Sequence, residues 1–226
     1  MTLLFAGNGM TKEKELKQLC LEYDRLQDEY GDKSLNSVYF GGCIDRPLLC
    51  FVFMNPTKKT ISSEKTWRGY RAPWIGTKNI WDLFYALHFI DDFLYKEIKE
   101  KKGSDWTEAF AQQIYDRIEQ NKIFITNLAK CTQTDARSLP DQIYEEYLEL
   151  FLKEIDLVNP KVIVFFGNQV SRVVLKQKIA VSQCRKKRFL LNGRYPCYAV
   201  YYPIGNGRFH LDKSIEDLNY IINQIQ

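Results

Sequence analysis

A three-layer α/β/α fold, built on a mostly parallel central sheet of about four strands, follows from two patterns in this 226-residue chain. Short apolar runs at 48–53, 122–126, 161–166 and 196–202 alternate with stretches of helical periodicity at 79–95, 106–119, 141–157, 168–175 and 212–226. Strands separated by helices need crossover connections, which make the strands parallel and cover both faces of the sheet. With no internal repeat, low-complexity tract or linker, residues 1–226 read as a single domain of a size that buries a substantial core.

Taken in order, residues 12–30 carry Leu16, Leu19, Cys20, Tyr23 and Leu26 at helical spacing. They predict an N-terminal amphipathic helix over about 11–30, closed by Gly31 in the left-handed conformation. The run 48–53 ends at Met54-Asn55-Pro56-Thr57, where Pro56 has no N–H to continue a ladder, so Asn55 sits at the carboxyl end of the first strand. Ligands bind at that end of a parallel α/β sheet. Residues 55–76, rich in Lys, Thr, Ser, Arg and aromatics, form a loop of the length that is functional or disordered. Two helices, 79–95 and 106–119, follow around the charged turn 99–103.

The second strand ends at Asn127, a second neutral amide at a strand mouth. Pro140 opens the helix 141–157 and Asn159-Pro160 ends it. The third strand, 161–166, passes through Gly167-Asn168 into a helix running toward Leu175. A basic linker, the strand 196–202, the loop 203–207 and a closing helix 212–226 complete the chain.

Hydrophobic content of 45%, charged content of 27% and the lack of any bilayer-length apolar stretch are those of a soluble protein without a membrane partner. The first ten residues lack a basic n-region, so an intracellular, cytoplasmic protein with six reduced cysteines is expected. Those cysteines, at 20, 43, 50, 131, 184 and 197, include no Cys-x-x-Cys pair, and neither a metal nor a cofactor is expected. The net charge of +4 is mild, but two basic clusters stand out. Lys58, Lys59, Lys65, Arg68 and Arg71 follow the first amide and read equally as phosphate contacts or a solvated face. Arg185-Lys186-Lys187-Arg188 reads as a solvated face.

Either Asn55 or Asn127 alone fits a cap or an awkward strand exit. Together they offer donors and acceptors to the edge of a planar heterocycle. Trp74, in the long loop, offers a stacking face or a core side chain. The sequence has no phosphate-binding loop, nucleophile elbow or carboxylate pair of the kind that would point to a nucleotide hydrolase.

Met54-Asn55-Pro56-Thr57 resembles the Gly-Met-Asn-Pro-Gly or Gly-Ile-Asn-Pro-Gly motif of the uracil-DNA glycosylase superfamily, in its single-strand-selective and mismatch-specific branches. The segment 71–77, Arg-Ala-Pro-Trp-Ile-Gly-Thr, is similar to Arg-Pro-Phe-Val-Gly of the thermostable bacterial and archaeal branch. Residues 124–131 resemble its Ile-Thr-Asn-x-x-Lys-Cys run, and 159–167 its Arg-Pro-Lys-Val-Ile-Val-x-Leu-Gly strand. The resemblance spans roughly residues 48–211 and implies a monomeric glycosylase that acts on DNA containing uracil or another deaminated or mismatched base, leaving an abasic site. It implies that Asn55 holds the attacking water, Trp74 stacks on a flipped base beside Met54, and Asn127 reads the pyrimidine edge.

The family's His-Pro-Ser motif lines up with Tyr202-Pro203-Ile204, so Tyr202 or the nearby His210 would stand in for the histidine that supports the leaving base. The following loop implies DNA contacts by Ile204 as an apolar wedge and by Gly205, Asn206 and Arg208, joined by Lys58. The thermostable branch binds an iron–sulfur cluster through four cysteines, of which only Cys131 clearly matches. With tyrosine in the histidine position, the alternative implied is a binding module that recognises a nucleobase or damaged DNA without cutting it.

Overall fold

The computed structural model describes residues 8–136 and 139–225. Six strands make one sheet: β1 (Phe40–Gly42), β2 (Leu49–Phe53), β3 (Ile123–Asn127), β4 (Val162–Phe166), β5 (Phe189–Leu191) and β6 (Tyr195–Val200). They lie in the order β1-β3-β2-β4-β6-β5. The four inner strands are parallel and are the four expected from the apolar runs, while β1 and β5 add short antiparallel edges. The chain leaves β2 to build β3 on one side and β4 on the other. This reversal of direction creates a crevice at the carboxyl ends of the strands, the usual ligand position in open α/β sheets.

Around the sheet lie α1 (Asn8–Tyr30), α2 (Ile80–Ala86), α3 (Asp92–Glu100), α4 (Glu108–Gln120), α5 (Asp141–Val158), α6 (Asn168–Leu175), α7 (Val181–Cys184) and α8 (Leu211–Asn223). Alternate residues of β2 divide the core. Leu49, Phe51 and Phe53 pack with α2, α3, α4 and α8, whereas Cys50 and Val52 pack with α1, α5 and α6. Every residue of β2, β3 and β4 is buried, as a sheet covered on both faces demands.

Three local expectations are corrected. The helix expected over 79–95 breaks: His88 takes a left-handed φ of 59°, and Asp91 caps a new helix by accepting a 2.9 Å hydrogen bond from Leu94 N. Gly31 does not take the left-handed conformation that would close α1. A Cβ there would lie 2.2 Å from Gln27 Nε2, so any larger residue would displace the Gln27 amide, which bonds Asp32 O and Thr132 N. The basic linker contains α7 and β5, and the first two cations of its 185–188 block clamp α8: Arg185 reaches Asp217 at 2.9 Å and Glu216 at 2.7 Å, and Lys186 pairs with Glu216. The end of the closing helix at Gln226 and most of the first ten residues lie outside the described residues. No helix among the described residues is long and apolar enough to cross a membrane.

Candidate active site at the strand ends

The exits of β2 and β3 are laced together. Leu128 N and Ala129 N donate to Phe53 O and Met54 O at 2.8 and 3.1 Å. Gln133 N donates to Pro56 O at 3.2 Å, and Lys58 N returns a 2.9 Å bond to Gln133 O. Two loops that would otherwise move independently become one ledge, on which Asn55 and Asn127 stand next to each other.

Behind Asn127 is a fully buried polar knot. Lys130 Nζ donates to Asn127 O, to Thr126 Oγ1 at 2.7 Å and to Glu154 Oε1 at 3.1 Å. Tyr23 and Thr126 complete the Glu154 carboxylate with hydroxyl bonds of 2.9 and 2.6 Å. Burial holds the Lys130 ammonium below the ordinary lysine range, opposed by the Glu154 charge. The knot ties α1, β3 and α5 together and fixes the Asn127 backbone through its carbonyl.

The ledge opens into a cavity of about 500 Å³ whose lining includes Asn55, Asn127, Trp74, Tyr202 and Ile204. A volume of that size accepts a nucleobase with its sugar. The Asn127 side chain is 2% exposed, and its amide nitrogen has no hydrogen-bond partner among the described residues. A buried donor without a partner costs about 1–3 kcal/mol, a cost that a ligand carbonyl at that point would remove. Asn55 is more exposed. Its Nδ2 donates to Pro56 O at 3.2 Å, and its Oδ1 accepts a 2.8 Å hydrogen bond from the Tyr144 hydroxyl.

An aromatic group forms the wall. Phe53 stacks on Phe166 with centroids 4.4 Å apart, and both Trp74 and Tyr202 meet its ring edge-on at 80°. Trp74 holds a left-handed φ of 67°, which costs a bulky residue about 1–3 kcal/mol. Its carbonyl is secured by Thr77, whose N and Oγ1 donate at 3.1 and 2.7 Å. Tyr202 lies two residues beyond β6, and burial raises its phenol well above the ordinary value of 10.0, so it remains a protonated donor at neutral pH. The chain folds back closely over it: a Cβ on Gly207 would fall 1.8 Å from Tyr202 O.

Not all the expected residues join this lining. Met54 is half-buried and packs into the α1/α5 side of the core. His210 stacks on Tyr201 at 4.3 Å with its Nδ1 buried and unpartnered among the described residues, outside the cavity lining. Gly205 reaches the rim, while Lys58, Asn206 and Arg208 are exposed on the surrounding surface. Ile204 packs against the core rather than projecting. The projecting apolar group of this segment is Phe209, 78% exposed, with the Arg208 guanidinium 5.0 Å from its ring centroid. Arg71 leaves the basic cluster for a bidentate pair with Asp24 at 3.0 and 3.1 Å.

Sequence reasoning missed Tyr144, Glu154 and Phe209, and gave Lys130 no role. Tyr144 and Glu154 sit on a helix whose periodicity marks them only as inward-facing. Phe209 lies in a turn whose glycines drew attention to its other residues. Cys131 is buried in the core, and among the described residues no group of three His, Cys, Asp or Glu side chains could hold a metal. The residues present therefore do not fit the iron–sulfur cluster of the thermostable branch.

The sheet order, the crevice at its reversal point and the two amides beneath an aromatic wall define an α/β/α protein with a cavity at the strand ends. The sequence profile of the uracil DNA glycosylase superfamily matches residues 50–219. The chain belongs to that superfamily, whose members generally hydrolyse N-glycosyl bonds and act on DNA. No curated protein matches the chain.

Proposed function

We propose that this protein is a monofunctional DNA glycosylase that removes uracil or a related deaminated or mismatched base and leaves an abasic site. The observation that carries this reading is the convergence of Asn55, Asn127 and Tyr202, from the ends of three parallel strands, on one cavity. The glycosidic bond of a stacked nucleotide is out of reach, so the nucleotide must first be flipped, at a cost lowest for mispaired or damaged bases. Trp74 would then flank the base and Asn127 Nδ2 would donate to a base carbonyl. Asn55 Oδ1 would accept a hydrogen bond from the attacking water.

A neutral amide cannot take the proton of that water, so bond breaking has to run ahead of attack. The base leaves with the bonding electron pair, and the Tyr202 hydroxyl donates to the oxygen on which the charge collects. Water then adds hydroxide to the anomeric carbon, and its proton ends on the departed base. Lys58, Asn206, Arg208 and Phe209, exposed and adjacent in sequence to the lining residues Lys59, Ile204 and Gly205 or just beyond them, would meet the DNA strand. The same reading places the protein inside the cell with its DNA substrate, and a monomer suffices for it because one chain supplies Asn55, Asn127 and Tyr202 to the cavity.

The test is incubation with single-stranded and mismatched oligonucleotides containing uracil, hypoxanthine or xanthine, followed by alkali. Strand cleavage is expected with at least one of them and is expected to fall at least about 100-fold in Asn55→Ala. No cleavage of any substrate, or full activity in the variant, overturns the proposal. Tight binding without product would favour the non-catalytic binding module that the tyrosine at position 202 suggests.

A further inference from the structure

We infer that Tyr144 is a positioning residue that anchors the oxygen end of the Asn55 amide, whose sense the Pro56 carbonyl fixes, an inference that rests on the glycosylase reading above. The two groups that grip the amide differ in what they can do. The Pro56 carbonyl can only accept, so the nitrogen end of Asn55 must lie on its side, as the 3.2 Å contact requires. That places Oδ1 toward Tyr144, whose hydroxyl, 2.8 Å away, must then donate. Rotating the amide by 180° would set one acceptor against another at Pro56, so the arrangement has one sense.

Its consequence is chemical. Oδ1 has two lone pairs; Tyr144 takes one, and the other can accept from a water. With the amide reversed, the site would present a donor where the water needs an acceptor. Tyr144 is fully buried and belongs to α5, which packs into the core through Tyr147, Phe151 and Ile155, so the hydroxyl comes from a rigid support. It is not among the residues that line the cavity. It lies 89 residues from Asn55 in sequence, so the motif around Asn55 is incomplete without a second segment.

Tyr144→Phe removes one oxygen and little volume. In this variant kcat for base release is expected to fall about 10- to 100-fold, the effect of a misplaced reacting group, with KM and melting temperature nearly unchanged. Combined with Asn55→Ala it should cost no more than Asn55→Ala alone, because both act through one amide. Unchanged kcat in folded Tyr144→Phe, a rise in KM alone, or additive losses overturn the inference.

A second measurement needs no change at Tyr144. With tyrosines labelled at ring Cζ, the Tyr144 resonance should move in Asn55→Ala as its acceptor disappears, and an unmoved resonance also overturns the inference. A wild-type protein that releases no base but shows that movement would instead sink the glycosylase reading and leave Tyr144 orienting Asn55 for binding alone.

Discussion

Replacing Lys130 by methionine gives the most direct measure of what holds the ledge. The ammonium makes three hydrogen bonds, to Thr126, Asn127 and Glu154, and both charged side chains of the pair are wholly buried. Methionine keeps most of the volume but leaves the Glu154 carboxylate in the core with only the Tyr23 and Thr126 hydroxyls as donors. Stranding one member of a buried pair costs about 3–5 kcal/mol. For a chain of this size, about 2–4 °C of melting temperature accompanies each kcal/mol, so a fall of about 6–20 °C is expected. Urea unfolding at pH 7, followed by circular dichroism, measures the free energy directly. Changing Glu154 to glutamine in the same molecule removes the charge, keeps an oxygen acceptor for one of the two hydroxyls and offers an amide N–H to the oxygen of the other, so much of the loss should return. A loss below about 1 kcal/mol in Lys130→Met, or a double variant no more stable than the single one, would refute the claim that the pair is a coupled buried unit.

Other expectations concern the site and the surface. Tyr202→Phe should lower kcat by about 10²- to 10³-fold, the usual effect of removing one donor to a developing oxyanion, with little change in KM. Tyr202→His should restore much of the rate and add a pH dependence near the imidazole range, about 6.5, that the buried phenol does not give. A wild-type rate in Tyr202→Phe would remove Tyr202 from the chemistry. On the surface, Lys186 and Arg185 hold the Glu216 carboxyl down to about 2 from 4.5. A depressed carboxyl pKa contributes stability that is fully present above 4.5 and lost as pH falls through 2. The melting-temperature difference between wild type and Glu216→Gln should therefore close between those two values, and a difference independent of pH would contradict the clamp on α8.

The parallel strands were legible because a strand buried on both faces must be apolar at every position, as in Leu-Cys-Phe-Val-Phe of β2. The edge strands β1 and β5 were not, since three residues carry too little pattern and one of the two contains Gly41 and Gly42. Both amides were legible from Pro56 and from the end of an apolar run. What they bond to was not: the partner of Asn55 comes from α5, and the base of Asn127 rests on a lysine that composition alone would place on the surface. Arg71 shows the opposite error. Beside four other cations it reads equally as a phosphate contact or part of a solvated face, but Asp24, 47 residues earlier on α1, takes both of its terminal nitrogens.

The two edge strands have a consequence of their own. An exposed strand is a template for further pairing, and proteins blunt that hazard by keeping their margins short. Here each margin is three residues long, and each runs against its neighbour, so the long parallel strands are never outermost. Growth of the sheet by recruiting a strand from another chain has little to build on. That leaves the rim above the strand tips, where the cavity opens, as the unpaired end of the parallel strands.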